Sequence, residues 1–254
     1  MGYIIKQDKA LSIHILKALI SHWVTEIESS EKGTWDRLKT CMILCYTTIS
    51  FAASLRGAEG LKLDFQQLKS HIENNGNSGG SRKAIIPPHV IVPLRGRFKG
   101  ETGERCHLLP LANKSRSGIQ IRGALELLIQ GREELPHLTS TWGFVNQENQ
   151  KLSFSEMNEL FHEGLESIKE NDHRDSLGLR SMDIREVYSI NRSCRRGSST
   201  HAQNQNIPDA TIRLQNRWSM VERAKGRRPT FNMVETYSDI EHLIPAVIQY
   251  SGQL

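Results

Sequence analysis

The stretch CMILCYTTISFAASL, residues 41–55, does most to limit what this chain can build. It is apolar, it continues a helical pattern that begins near Trp35, and it runs straight into RGAEG. Arg56 therefore stands at the foot of an apolar segment, with Glu59 three residues on. A buried guanidinium is costly unless it is paired, so Arg56 is either held by Glu59 or kept for an anion. The chain has 254 residues, enough for one large domain or two small ones around a proper core. No apolar run approaches the roughly 20 residues of a membrane-spanning helix. The start, MGYIIKQDKA, lacks a secretory pattern and has Lys6 where a myristoylation signal needs Ser or Thr. An intracellular protein is expected, with bacterial cytoplasm and eukaryotic nucleus both open.

Other elements can be read around that segment. Residues 8–28 place Ile13, Leu16, Ile20, Val24 and Ile27 at helical spacing. LKLDFQQL reads as a short extended or turn segment, and ENNGNSGGS as a loop. Two strands are expected at 89–98 and 105–111, joined by a turn around KGETG. A helix starts near Gly118, a loop covers 136–152, and FSEMNELFHEGLESIKEN is helical with Ser153 or Ser155 as its cap. Helices at about 183–204, 208–222 and 230–249 complete the chain, with AKGRRPT as a break. The fold class is mainly α with one small antiparallel sheet (α+β), in one principal domain.

Charge is unevenly placed. From Arg180 to Arg228 there are eleven Lys or Arg against four Asp or Glu, while the remainder carries 22 basic and 24 acidic residues. A basic segment inside a slightly acidic body is either plain solvated surface or a face for a polyanion. The four cysteines are scattered, and Cys41 and Cys45, one helical turn apart, suit core packing better than a zinc site with no second pair. In YSINRSCRRGSSTHAQ a continuous helix puts Val187, Ile190 and Cys194 on one stripe. Arg192, Arg195 and Arg196 fall on the other side, the first two as i, i+3 neighbours. They make either an exposed basic face or a fork for the non-bridging oxygens of a phosphate.

The order of features is informative: Arg56 in LRGAE after a helix, Lys99 in a two-strand hairpin, RSCRRGSSTHA, an NRW box, then a tyrosine near the end. From about residue 35 to 245 that order resembles the catalytic domain of the tyrosine recombinases (phage-type integrases), and within them the divergent branch found in mobile elements. The resemblance implies that Arg56 and Arg195 are the two catalytic arginines, with Glu59 the carboxylate accompanying the first. Lys99 matches the hairpin lysine, Trp218 takes the place filled by histidine or tryptophan, and Tyr237 is the nucleophile. Arg192 stands where the family most often has histidine. Arginine holds its proton too tightly to serve as a base near neutrality, though it can bind phosphate. Tyr237 also lies farther from Trp218 than is common, with ERAKGRRPTFN between them. Without the resemblance, Tyr237 and Trp218 read as amphipathic-helix core residues, Tyr250 is a rival phenol, His201 is another proton acceptor, and Lys114, Arg95 and Arg97 compete with Lys99.

The family chemistry suits these residue types. A phenol oxygen attacks a phosphodiester, charge grows on the phosphoryl oxygens, and fixed guanidiniums meet it. Lys99 would protonate the leaving 5′-oxygen, and Trp218 would donate its indole N–H. No metal or cofactor is needed. The implied partner is double-stranded DNA, held by a homo-tetramer on two duplexes, with no membrane partner. Residues 31–254 would form the catalytic domain. Residues 1–30 are too short for the usual N-terminal clamp, so they read as an N-terminal helix or a remnant of a clamp or linker. The alternatives are a catalytically inactive, domesticated DNA-binding protein, a type IB topoisomerase, and a helical protein that binds no DNA.

Overall fold

The computed structural model describes residues 8–74, 88–96, 105–216 and 248–254. Ser12 caps α1 (Ile13–Ser29) by accepting from the Ile15 N–H, and Thr34 caps α2 (Trp35–Ala52) by accepting from Arg37. α1 buries one stripe, Ile15, Leu16, Leu19, Trp23 and Ile27. α2 buries fourteen of its eighteen residues and is the central helix, as a helix apolar on most sides must be. It continues into a Schellman turn, in which Leu55 N–H donates to Ser50 O and Ser54 N–H to Phe51 O. The left-handed position, where glycine is usual, is Ser54 (φ 51°). The turn aims the chain into the short α3 (Gly57–Gly60).

Beyond α3 the chain bridges to the sheet and then enters α4 (Phe65–Asn74). Leu63 pairs with Leu94, but the expected extended segment stops at Asp64, whose Oδ1 accepts from the Gln67 N–H. The helix from Phe65 corrects the reading of LKLDFQQL as a short extended or turn segment. β1 (His89–Gly96) and β2 (Arg105–Ala112) form one antiparallel pair, in register from His89 opposite Ala112 to Gly96 opposite Arg105. Val90, Val92 and Leu94 point into the core, and α4 packs against β1. Pro93 lacks an N–H, but its carbonyl is used on the outer edge of β1, where it accepts from the Asp64 N–H at 2.9 Å.

α5 (Ile121–Glu133) and α6 (Phe154–Asn171) pack on α2, and α6 also crosses α1, where Gly164 lies directly under the Trp23 ring. Ser153 and Glu156 cap α6 reciprocally. The expected single helix over 183–204 is instead α7 (Ile184–Val187) and α8 (Ser193–Asn204) with a bend between. α6 enforces the bend: His162 Nε2 donates to the Tyr188 carbonyl at 2.9 Å, and Asn158 Oδ1 accepts from the Ile190 N–H at 3.0 Å. α9 (Asp209–Gln215) follows, and residues 248–253 are again helical. The architecture is mainly α with one two-stranded antiparallel sheet, and α1 shares the same core as the rest. Among the described residues no helix is long and apolar enough to cross a membrane.

Candidate functional site

The α2–α3 turn answers the question posed by Arg56. Glu59, 4% exposed, accepts from the Arg56 backbone N–H at 2.9 Å and from its guanidinium Nη1 at 3.2 Å. The carboxylate thus fixes both ends of the arginine, while a third of the Arg56 side chain stays exposed. Tyr46 Oη donates to the Gly57 carbonyl from inside α2, and burial pushes its phenol pKa well up. Gly57 cannot carry a side chain, because a Cβ would lie 2.8 Å from Asn191 Oδ1 and 2.9 Å from Asn191 Cα. Its N–H instead donates to Asn191 Oδ1 at 3.0 Å.

That contact brings in the second arginine segment. Arg195 on α8 donates from Nη1 to the Ser54 carbonyl at 3.1 Å and from Nη2 to the Asn216 carbonyl. Ser54 Oγ donates to Asn216 Oδ1 at 2.6 Å, and Asn216 Nδ2 donates to the Ile212 carbonyl. Residues 54–57, 191–195 and 216, from three distant parts of the chain, are therefore stitched into one corner. A serine held left-handed at its centre costs about 1 kcal/mol, which its contacts to Arg195 and Asn216 offset.

Arg192 is placed differently from the helical stripe expected for it. It is the N-cap residue of α8, with φ −120°, so it stands at the helix start and not within a continuous helix. Its side chain is 64% exposed, with Nε 3.8 Å from Asp8. Lys99, Trp218 and Tyr237 lie outside the described residues, as do AKGRRPT and most of the expected 230–249 helix. Trp218 follows Asn216 by two residues, and the Asn216 carbonyl is held by Arg195.

Tyr250, the rival phenol, is fully buried beside the same corner. Its hydroxyl lies 2.8 Å from Ser198 Oγ. Burial raises its pKa, and the Ser198 and Ser54 hydroxyls and the Arg195 charge pull it back. Residues 248–254 are anchored around it, with Ser251 Oγ accepting from the Ala112 N–H at 2.7 Å and His201 Nε2 donating to the Leu254 carbonyl at 2.8 Å. His201 is thus occupied with the main chain.

Ser54, Asn191 and Asn216 are the residues that sequence reasoning missed. Each acts through a contact more than fifteen positions away, although all three lie within stretches singled out from the sequence: the 41–55 segment, the Asn next to Arg192 and the NRW box. No family model matches the chain, and a search of curated proteins finds no relative of it.

Proposed function

We propose that the chain breaks and rejoins DNA strands through a phosphotyrosyl intermediate, in the manner of the tyrosine recombinases it resembles, during integration or recombination of a mobile element. The observation that carries the reading is the corner in which the Arg56 turn and the Arg195 helix are joined across about 140 residues of sequence. Two arginines delivered to one place, one of them steadied by a buried glutamate, suit a phosphodiester whose oxygens gain charge in the transition state.

In this reading the Tyr237 phenol loses its proton and bonds to phosphorus, and the 5′-oxygen leaves and takes up a proton from Lys99. The strand ends are then a 3′-phosphotyrosyl link and a free 5′-hydroxyl. Attack by a 5′-hydroxyl on that link reverses the step and reseals the strand with no external energy source. Arg56 and Arg195 bind the phosphoryl oxygens, Arg192 adds a third cation, and Trp218 contributes its indole N–H. The partner is duplex DNA, bound by four protomers on two duplexes.

A second reading, a DNA-binding module without the chemistry, is favoured by two details. Arg192 replaces the usual histidine and faces solvent, and Arg195 directs Nη1 and Nη2 to main-chain carbonyls. A suicide duplex nicked beside the scissile phosphate separates the two. A covalent adduct that disappears in Tyr237→Phe and persists in Tyr250→Phe is the expected outcome. Salt-sensitive DNA binding with no adduct establishes the inactive module instead.

A further inference from the structure

At the turn end of β1 two cations stack on one indole and a third lies close by. The Lys151 ammonium lies 4.2 Å from the centroid of the Trp142 ring, and the Arg95 guanidinium carbon 4.7 Å from it. Lys62 belongs to the same group: its alkyl chain passes the α-carbon side of Gly96, where an added Cβ would be 3.7 Å from it, and its charge acts on Lys151. Arg95 is tied down, with Nε 3.2 Å from the buried Asp64 carboxylate and Nη2 donating to Thr141 Oγ1 at 2.8 Å. Asp64 is committed in turn to capping α4. Among the described residues no carboxylate pairs with Lys151. Partial desolvation and the like charges of Lys62 and Arg95 lower its pKa, the signature of a cation held where it would gain from an anion.

We propose that Arg95 and Lys151, stacked on Trp142, form with the neighbouring Lys62 a second phosphate station that grips the backbone of duplex DNA at a distance from the phosphate bound by the arginine pair. This rests on the reading of the chain as a DNA-binding protein. The group is laid out on an open surface, with Lys151 exposed and Lys62, Arg95 and Trp142 half-buried, which suits a polyanion lying across it better than a small enclosed anion. It is also rigidly coupled to the first site. The Lys62 N–H donates to the Glu59 carbonyl at 3.1 Å, and the Arg95 N–H to the Lys62 carbonyl at 2.7 Å. Six residues separate Arg56 from Lys62, so their α-carbons lie within about 20 Å of one another. At one backbone phosphate per 3.4 Å of axis on each strand, that α-carbon span corresponds to about six base pairs, to which the reach of the side chains adds.

Equilibrium binding of the full chain to a duplex of about 30 base pairs, followed by fluorescence anisotropy from about 50 to 300 mM salt, tests this. Losing one phosphate contact removes about 0.9 from the salt slope, so Lys151→Gln is expected to weaken binding about eightfold near 0.1 M salt, for every sequence alike. Lys151→Arg restores both slope and affinity, because the charge remains. Lys17→Gln, which removes an exposed charge from α1, leaves both unchanged. A Lys151→Gln slope equal to wild type, or an equal loss in Lys17→Gln, overturns the second station and leaves DNA binding standing. A wild-type chain that fails to bind the duplex overturns both.

Discussion

Arg132 is the residue whose replacement should damage this fold in the most instructive way. It stands in the last turn of α5, 3% exposed, and its guanidinium serves the loop that follows. Nη1 donates to the Trp142 carbonyl at 2.7 Å, and Nη2 to those of Leu138 and Ser140 at 3.1 and 2.9 Å. The guanidinium carbon lies 4.5 Å from the centroid of the Phe65 ring. Burial lowers its pKa to about 10, still well above neutrality, so the group is charged in the fold at every ordinary pH. In Arg132→Met three carbonyls lose their donor, at about 1 kcal/mol net each, and the ring contact contributes about 1 more. Relief of the buried charge offsets part of this, leaving about 3 kcal/mol of destabilisation. For a chain of this size that lowers the midpoint of thermal unfolding by about 6–12 °C, measured by circular dichroism at one scan rate. Arg132→Lys, whose single ammonium cannot span the same carbonyls, should fall between. A midpoint for Arg132→Met within about 2 °C of wild type refutes the reasoning, because it would mean that the loop finds other donors at no cost.

Two further predictions concern packing and ionisation. Gly197 on α8 lies against the Leu11 carbonyl so closely that a Cβ has no room, so Gly197→Ala should push the 8–12 segment off α8, break the Leu11 N–H to Ser193 carbonyl bond and cost about 2–4 kcal/mol by chemical denaturation; wild-type stability would contradict that packing. Of the four free cysteines only Cys106 is exposed, and burial lifts the Cys41 thiol to about 11 and the Cys194 thiol to about 12, with Cys45 raised as well. A thiol reagent at about pH 8 should therefore label one cysteine in the native chain and four after unfolding. The unfolded thiols lose protons from about pH 9 while the folded ones retain them, so stability should fall as pH rises from 9 towards 12; a flat profile there would be the contrary result.

How much of this could be read from the sequence depended on how local each cause is. The α6 start was legible because Ser153 and Glu156 write their capping box within four residues. The hairpin was legible because turn residues separate two apolar runs, and α2 because its apolar content exceeds what one face needs. The start of α4 was equally local and was missed: Asp64 and Gln67 repeat the same cap-and-return spacing, with Gln67 Nε2 reaching back to Asp64 at 3.3 Å. The bend at 188–192 is another matter. Its helical spacing is sound, and it fails only because His162 and Asn158, on another helix, claim the Tyr188 carbonyl and the Ile190 N–H.

The same distinction governs the candidate site. Arg56 with Glu59 was legible as a pair because three residues separate them, and the structure closes both contacts. Arg195 was legible as a conspicuous charge, but its carbonyl partners were not, since Ser54 and Asn216 are 141 and 21 residues away. This matters for the chemistry. A guanidinium free to swing onto a phosphate is held by nothing, whereas one already fixed by two carbonyls of its own fold presents its remaining edge in a single orientation. Preorganisation of that kind reduces the ordering needed at the moment of reaction. If the corner serves DNA cleavage, Ser54→Ala, which leaves the carbonyl to Arg195 but removes the hydroxyl to Asn216, should lower the rate of adduct formation more than it lowers DNA affinity. An equal loss in both would make Ser54 a residue of the fold alone.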